Sequence, residues 1–302
     1  GAAFGILGLG SAFATFARVE SMGKNTTYIM DDVSIFDNPA NINLYPNYLI
    51  GEFGLYNENV QVGENMDPQH PNFGGIFSLG LGKGEYPDPR LTIGGLFGRM
   101  DSELGRFLPT NVILPNGNTS EVPETVTNFD GFLGGTLANG NALGLHIFLA
   151  HQDGGRQVSD GSYQPDYSAY ASVVRADGGI NWQLGSNADL ELAFGLARIQ
   201  YGNEHKNFFD DGDFSYLGKA RAFFSLEALD GELVPALSAH FIQAPGIEDI
   251  RAQVGVGINV ALDRGFFWLG VDFIWNKMES GNWSFNHETG ETTYDASAER
   301  DY

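Results

Sequence analysis

The sequence reads as an all-β chain: a transmembrane antiparallel β-barrel of 12–14 strands preceded by an N-terminal segment. Three observations lead there. Segments of roughly ten residues alternate apolar with small or polar side chains, each bounded by Gly, Asn, Asp or Pro. Their length matches the ~9–11 residues a tilted strand needs to cross a bilayer, against the ~5–6 typical of soluble sheets. From residue 129 onward, short turns largely alternate with long polar loops, as in barrels with turns on one side of a membrane and loops on the other.

Along the chain, residues 1–14 (GAAFGILGLGSAFA) are the most apolar stretch. They read as the end of a secretory signal, with Ala12-Phe13-Ala14 as the cleavage site before Thr15. Residues 15–45 form a mixed segment expected inside the barrel, and residues 46–302 the barrel itself. Strands are expected near 47–56, 73–83, 90–99, 129–139, 141–151, 170–185, 188–201, 214–228, 232–243, 249–262 and 265–278. A twelfth falls around 291–302, where alternation is poor and charge lies on both faces. In the clearest strands, Leu143, Leu145, Ile147 and Leu149 oppose Gly144, His146, Phe148 and Ala150. Likewise Phe267, Leu269, Val271, Phe273 and Trp275 oppose Trp268, Gly270, Asp272, Ile274 and Asn276. Asn139-Gly140 is a tight hairpin signal, and Asp230-Gly231 is a relative of it. Stretches 57–72, 100–128, 152–168, 202–213 and 279–292 read as long loops.

Composition narrows the function. The formal net charge of −22 argues against nucleic acid, whose phosphates demand a basic face. The chain has no cysteine, which removes disulfides, thiolate metal sites and cysteine nucleophiles. No run of 18 apolar residues exists to form a membrane helix. Glycine, at 41 residues, supplies turns and places where a side chain would not fit, and both are needed in a closed, crowded barrel.

Residues capable of chemistry do not assemble into a reaction centre on the sequence. His70, His146, His151, His205, His240 and His287 lack metal-ligand spacing, and His146 and His240 are expected to point inward. Asp210, Asp211 and Asp213 supply oxygen ligands for calcium but lack the closing Glu of an EF-hand, so they read as a solvated turn. Gly74-Gly75, Gly94-Gly95 and Gly134-Gly135 are followed by no Lys-Ser/Thr and read as strand glycines. Inward charges are expected to be few (Glu191, Lys219, Arg221, Glu227, Asp272 and Arg175), leaving a narrow, weakly polar lumen. No enzyme activity, metal or cofactor is expected.

The N-terminal segment carries a resemblance. Ala17-Arg18, Met22-Gly23, Asp31-Asp32 and Asn38-Pro39-Ala40 occur in the order and approximate spacing that open mature proteins of the FadL-like outer-membrane family, which includes PorV-type barrels. The match covers about 30 residues, and Lys24, Asn25 and Asn41 depart from it. The resemblance implies a bacterial outer-membrane barrel whose N-terminal segment plugs the lumen through Asp31, Asp32, Asn38, Pro39 and Asn41. It implies a channel for hydrophobic small molecules, or alternatively a non-enzymatic scaffold barrel of a secretion or surface-attachment system. Its partners would be outer-membrane lipid and either a hydrophobic ligand or secretion-system proteins. The residues themselves support part of this placement: Pro39 bars Asn38 from the α region, and Asn side chains satisfy stray backbone groups.

Overall fold

Antiparallel pairing of neighbours in sequence generates nearly the whole fold. The computed structural model describes residues 27–28, 30, 32–52, 72–81, 90–99, 111–113, 119–121, 127–137, 139–157, 163–203, 214–227, 230–244, 247–262, 265–285 and 292–301. The expected signal end and cleavage site, Ala17-Arg18, Met22-Gly23, Asp31, and the triplet Asp210, Asp211 and Asp213 lie outside these residues.

Two short 3-10 turns come first, η1 (Asp32–Ile35) and η2 (Pro39–Leu44). The strands follow as β1 (Tyr48–Glu52), β2 (Asn72–Gly80), β3 (Arg90–Phe97), β4 (Asn111–Ile113), β5 (Thr119–Glu121), β6 (Thr127–Thr136) and β7 (Ala142–Gln157). Then come β8 (Tyr163–Gln183), β9 (Ala188–Asn203), β10 (Ser215–Leu226), β11 (Gly231–Ala244), β12 (Ile247–Leu262), β13 (Gly265–Phe285) and β14 (Thr292–Asp301). Twelve strands form one sheet in the order β1-β2-β3-β6-β7-β8-β9-β10-β11-β12-β13-β14, and β4-β5 form a separate hairpin. All twelve expected strands are present. Among the described residues β1 and β14 are the sheet's two edges, so hydrogen bonding does not close it into the expected ring.

Two differences from the sequence reading have physical reasons. Strands β8 and β13 run for 21 residues each, well beyond ten. The β7–β8 ladder continues to Gln157↔Tyr163 past an irregularity at Gly154/Arg156, through residues expected to be loop. Polar residues on both faces hide such a strand from any test based on apolar alternation. The β4–β5 hairpin, with Asn111 opposite Glu121, lies in another stretch expected to be loop. At three residues a strand, it is too short to carry a period.

The two faces of the sheet are inverted relative to a soluble protein. Phe267, Leu269, Val271, Phe273 and Trp275 on β13 are exposed by 42–69%. Leu143, Leu145, Ile147 and Leu149 on β7 and Val254 and Val256 on β12 are exposed with them. The opposite face buries Asp130, His146, Arg175, Asp177, Glu191 and Arg221. Side chains of period two therefore place an apolar set on the outer face and a small, polar or charged set on the inner face. Trp268 packs inward beside Tyr28, Phe223 and Val234.

The described residues between 28 and 44 cover the inner face. Ile42 packs with Ile76 of β2 and Phe132 of β6, while the hydroxyl of Tyr28 donates to Asp272 of β13. So short a segment touches strands this far apart in the sheet order only because the sheet curls around it. No helix among the described residues is long and apolar enough to cross a membrane, which says nothing of crossing by strands.

The β6–β7 turn offers a test of local chain logic. Gly140 has φ +86°, and an added Cβ would also meet the Gln183 side chain. Gly140→Ala is expected to lower stability by about 1–2 kcal/mol, read as a reduced urea midpoint, because L-residues resist this left-handed conformation.

Candidate functional site

The site is the seat of the N-terminal segment on the inner face. Asn38 is extended, with φ −140° and ψ 109°, as a residue before proline should be, and caps η2 by accepting from the Ala40 amide at 3.1 Å. Its Nδ2 donates to Asn181 Oδ1 at 2.6 Å and to the Ile180 carbonyl at 3.3 Å. Asn181 in turn donates to Asn41 Oδ1 at 2.6 Å, and Asn41 donates back to Ser34 Oγ at 3.2 Å. Three asparagines thus tie η1, η2 and β8 together. Asp32 is buried and accepts from the Tyr48 hydroxyl at 2.5 Å, anchoring η1 to β1.

Of the sequence candidates, Asp32, Asn38, Pro39 and Asn41 are therefore all buried at this seat. Others escaped the sequence reading. Asp37 accepts from Lys219 Nζ at 2.5 Å, Asn43 donates to the Leu143 carbonyl at 3.0 Å, and Asn259 donates to the Tyr28 carbonyl at 2.6 Å. Burial, then the hydrogen bond and charge of Asp272, hold the Tyr28 hydroxyl protonated well above its ordinary range.

The floor of the seat is made of glycine. A Cβ on Gly144 would strike the Pro39 carbonyl and the Ala40 amide, and one on Gly179 would strike Asn38, Pro39 and Ala40. Gly94 and Gly134 lie under Ile42, while Gly255, Gly257 and Gly270 lie under the Tyr28 ring. The sequence identified strand glycines but not their partner. Their register across β3, β6, β7, β8, β12 and β13 becomes visible only once the strands pair.

Beside η1 lies a buried ionic chain. Arg99 holds Asp130 with two bonds of 2.9 and 2.5 Å. His146 bridges Asp130 (Nε2, 2.8 Å) and Asp177 (Nδ1, 2.7 Å), and Arg175 Nε holds Asp177 at 2.8 Å. Phe36 from the segment caps the chain, with the Arg99 guanidinium 4.0 Å from its ring centre. The interior is thus more heavily charged than the expected weakly polar lumen: Asp130 and Asp177 fall within the expected strands 129–139 and 170–185, but each precedes a glycine, so no apolar neighbour marks it as inward. Both His146 nitrogens are engaged by carboxylates.

Space remains elsewhere. A cavity of about 390 Å³ lies on the inner face beside the segment, between Asp37 and Asn38 on one side and β9–β13 on the other. Its wall is polar: Glu191, Lys219, Arg221, Ser238, Arg251 and Gln253 are among its lining. An apolar hollow of about 870 Å³, lined by Leu133, Leu145, Ile180, Leu192, Phe194 and Leu237, faces outward instead. No family model, curated protein or solved structure matches the chain.

Gly144→Val tests the seat. The variant is expected to keep its β-sheet circular dichroism while chymotrypsin cuts faster after Phe36, which is half-buried against Phe132 and His146 in the unaltered seat.

Proposed function

We propose that this chain is a bacterial outer-membrane β-barrel whose N-terminal segment plugs the lumen, and that it works as a gated conduit of the FadL-like kind. The observation that carries the reading is the inversion of the sheet. Soluble monomers rarely leave contiguous apolar surface beyond a few hundred Å². Here the outward residues of β7, β12 and β13 are apolar and exposed, while the charges are buried opposite them. Lipid covers such a surface at no desolvation cost, and strands that satisfy one another's backbone groups are one of the two architectures a bilayer tolerates.

The segment supports the plug. It is held on the inner face by hydrogen bonds to β8, β10, β12 and β13 and by two apolar clusters that bury Tyr28, Ile35 and Ile42. The hydrophobic cargo implied by the family resemblance has less support, since the inner cavity is polar and the Phe- and Leu-lined hollow faces outward. The scaffold reading of the PorV type draws on a different observation: much of the interior around β6–β8 is occupied by η2 and the fixed ionic chain from Arg99 to Arg175.

Extraction and electrophoresis test the barrel. The protein is expected to leave membranes only with detergent and to migrate differently before and after boiling. Release into water without a boiling shift would defeat the membrane reading. In planar bilayers the intact protein is expected to be mostly closed and Gly144→Val to open persistently, whereas a variant as silent as the parent would favour the scaffold.

A further inference from the structure

The cavity beside the segment contains an arrangement the plug does not use. Register places three rows of inward residues side by side: Glu191-Arg221-Ala236-Gly255-Asp272, Ala193-Lys219-Ser238-Gln253-Ile274, and Gly195-Leu217-His240-Arg251-Asn276. The charges around the cavity are mostly spoken for. Arg221 holds Glu191 at 2.5 Å, Lys219 holds Asp37 at 2.5 Å, His240 meets Asp249 at 2.6 Å, and Asp272 accepts from Tyr28. Arg251 is different. It lines the cavity and, among the described residues, forms no hydrogen bond, ion pair or ring contact. Gln253 and Ser238, its neighbours along and across the strands, line the same cavity and are equally unengaged.

Arg251 is half-buried, so its guanidinium reaches the cavity without being sealed off from an incoming anion. Its planar fork fits a carboxylate through two parallel N–H···O bonds. A serine hydroxyl and a glutamine amide both donate and accept, which suits the neutral hydroxyls of the same molecule. The volume of about 390 Å³ lies at the small end of ligand pockets, which span ~300–1,000 Å³.

From these we infer that the cavity binds a small hydroxylated carboxylate of the sugar-acid class, its carboxylate on Arg251 and its hydroxyls on Ser238 and Gln253. This rests on the plugged-barrel reading and gives that barrel a polar cargo. The bound anion lies beside Lys219, the residue that holds Asp37 of the plug, so ligand and plug share one wall of the cavity.

The test is calorimetric titration of the detergent-folded protein with lactate, gluconate and glucuronate, with glucose as the uncharged control. At least one carboxylate is expected to bind in about the millimolar range or tighter, and glucose not to bind. Arg251→Gln is expected to weaken binding at least about tenfold, and Ser238→Leu, which fills the cavity, to abolish it. The inference fails if none of the three carboxylates binds, if glucose binds as well as they do, or if both variants bind like the parent. A boiling-shifted band from the same samples separates these failures from failure of the barrel itself, and either variant suffices should the other not fold.

Discussion

Backbone-to-backbone approach between the segment and the sheet is the constraint on which the rest of the structure depends. Pro39 and Ala40 lie so close to β7 and β8 that Gly144 and Gly179 have no room for even one carbon, and the Tyr28 ring imposes the same on Gly255, Gly257 and Gly270. Such contact demands that the sheet present a bare floor on its inner face at widely separated strands. It also demands that the facing polar groups find partners, since burying an unpaired amide or carbonyl costs several times what a satisfied one gains. The asparagines answer that demand. Asn38, Asn41 and Asn181 use both their amide donor and their oxygen, while Asn43 and Asn259 act as donors only, and together they join the segment to the wall.

Electrostatics follow the same division of faces. With apolar side chains turned outward, charge has only the inner face to occupy, where desolvation is severe. The chain from Arg99 through Asp130, His146 and Asp177 to Arg175 alternates donors with carboxylates, and Phe36, Phe132 and Phe148 pack against its Arg99 and His146. Such a self-neutralising ladder fixes the spacing of β6, β7 and β8 under η2. The strands further on, β9–β13, keep an open, polar cavity instead. One interior thus has a filled half that positions the segment and a vacant half beside it.

Much of this was legible in the sequence. The apolar and small registers of Leu143–Ala150 and Phe267–Asn276 gave both faces of β7 and β13 correctly, because period-two alternation survives any context that keeps one face apolar. Asn38-Pro39 marked the cap of η2, since the constraint proline imposes is local. What the sequence hid was non-local or two-sided. Asp130 and Asp177 each precede a glycine, so no apolar neighbour marks which face they take until β6 and β8 pair with β7 on either side of His146. The upper reaches of β7 and β8 are polar on both faces and lose their period. Asn181 and Lys219 looked like ordinary inward polar residues, and their partners Asn38 and Asp37 lie more than a hundred residues away in the chain.

The account turns on which face of the sheet meets lipid. The chain has no cysteine, so single cysteines at Leu145, Val256 and Ala193 each give a unique spin label in reconstituted vesicles. Labels at Leu145 and Val256, both outward and exposed, should collide with dissolved oxygen far more than with a water-soluble nickel chelate, and the label at Ala193, on the cavity wall, should not. Outward labels that meet the nickel chelate as freely as the inner one would contradict the inverted sheet and, with it, the membrane barrel.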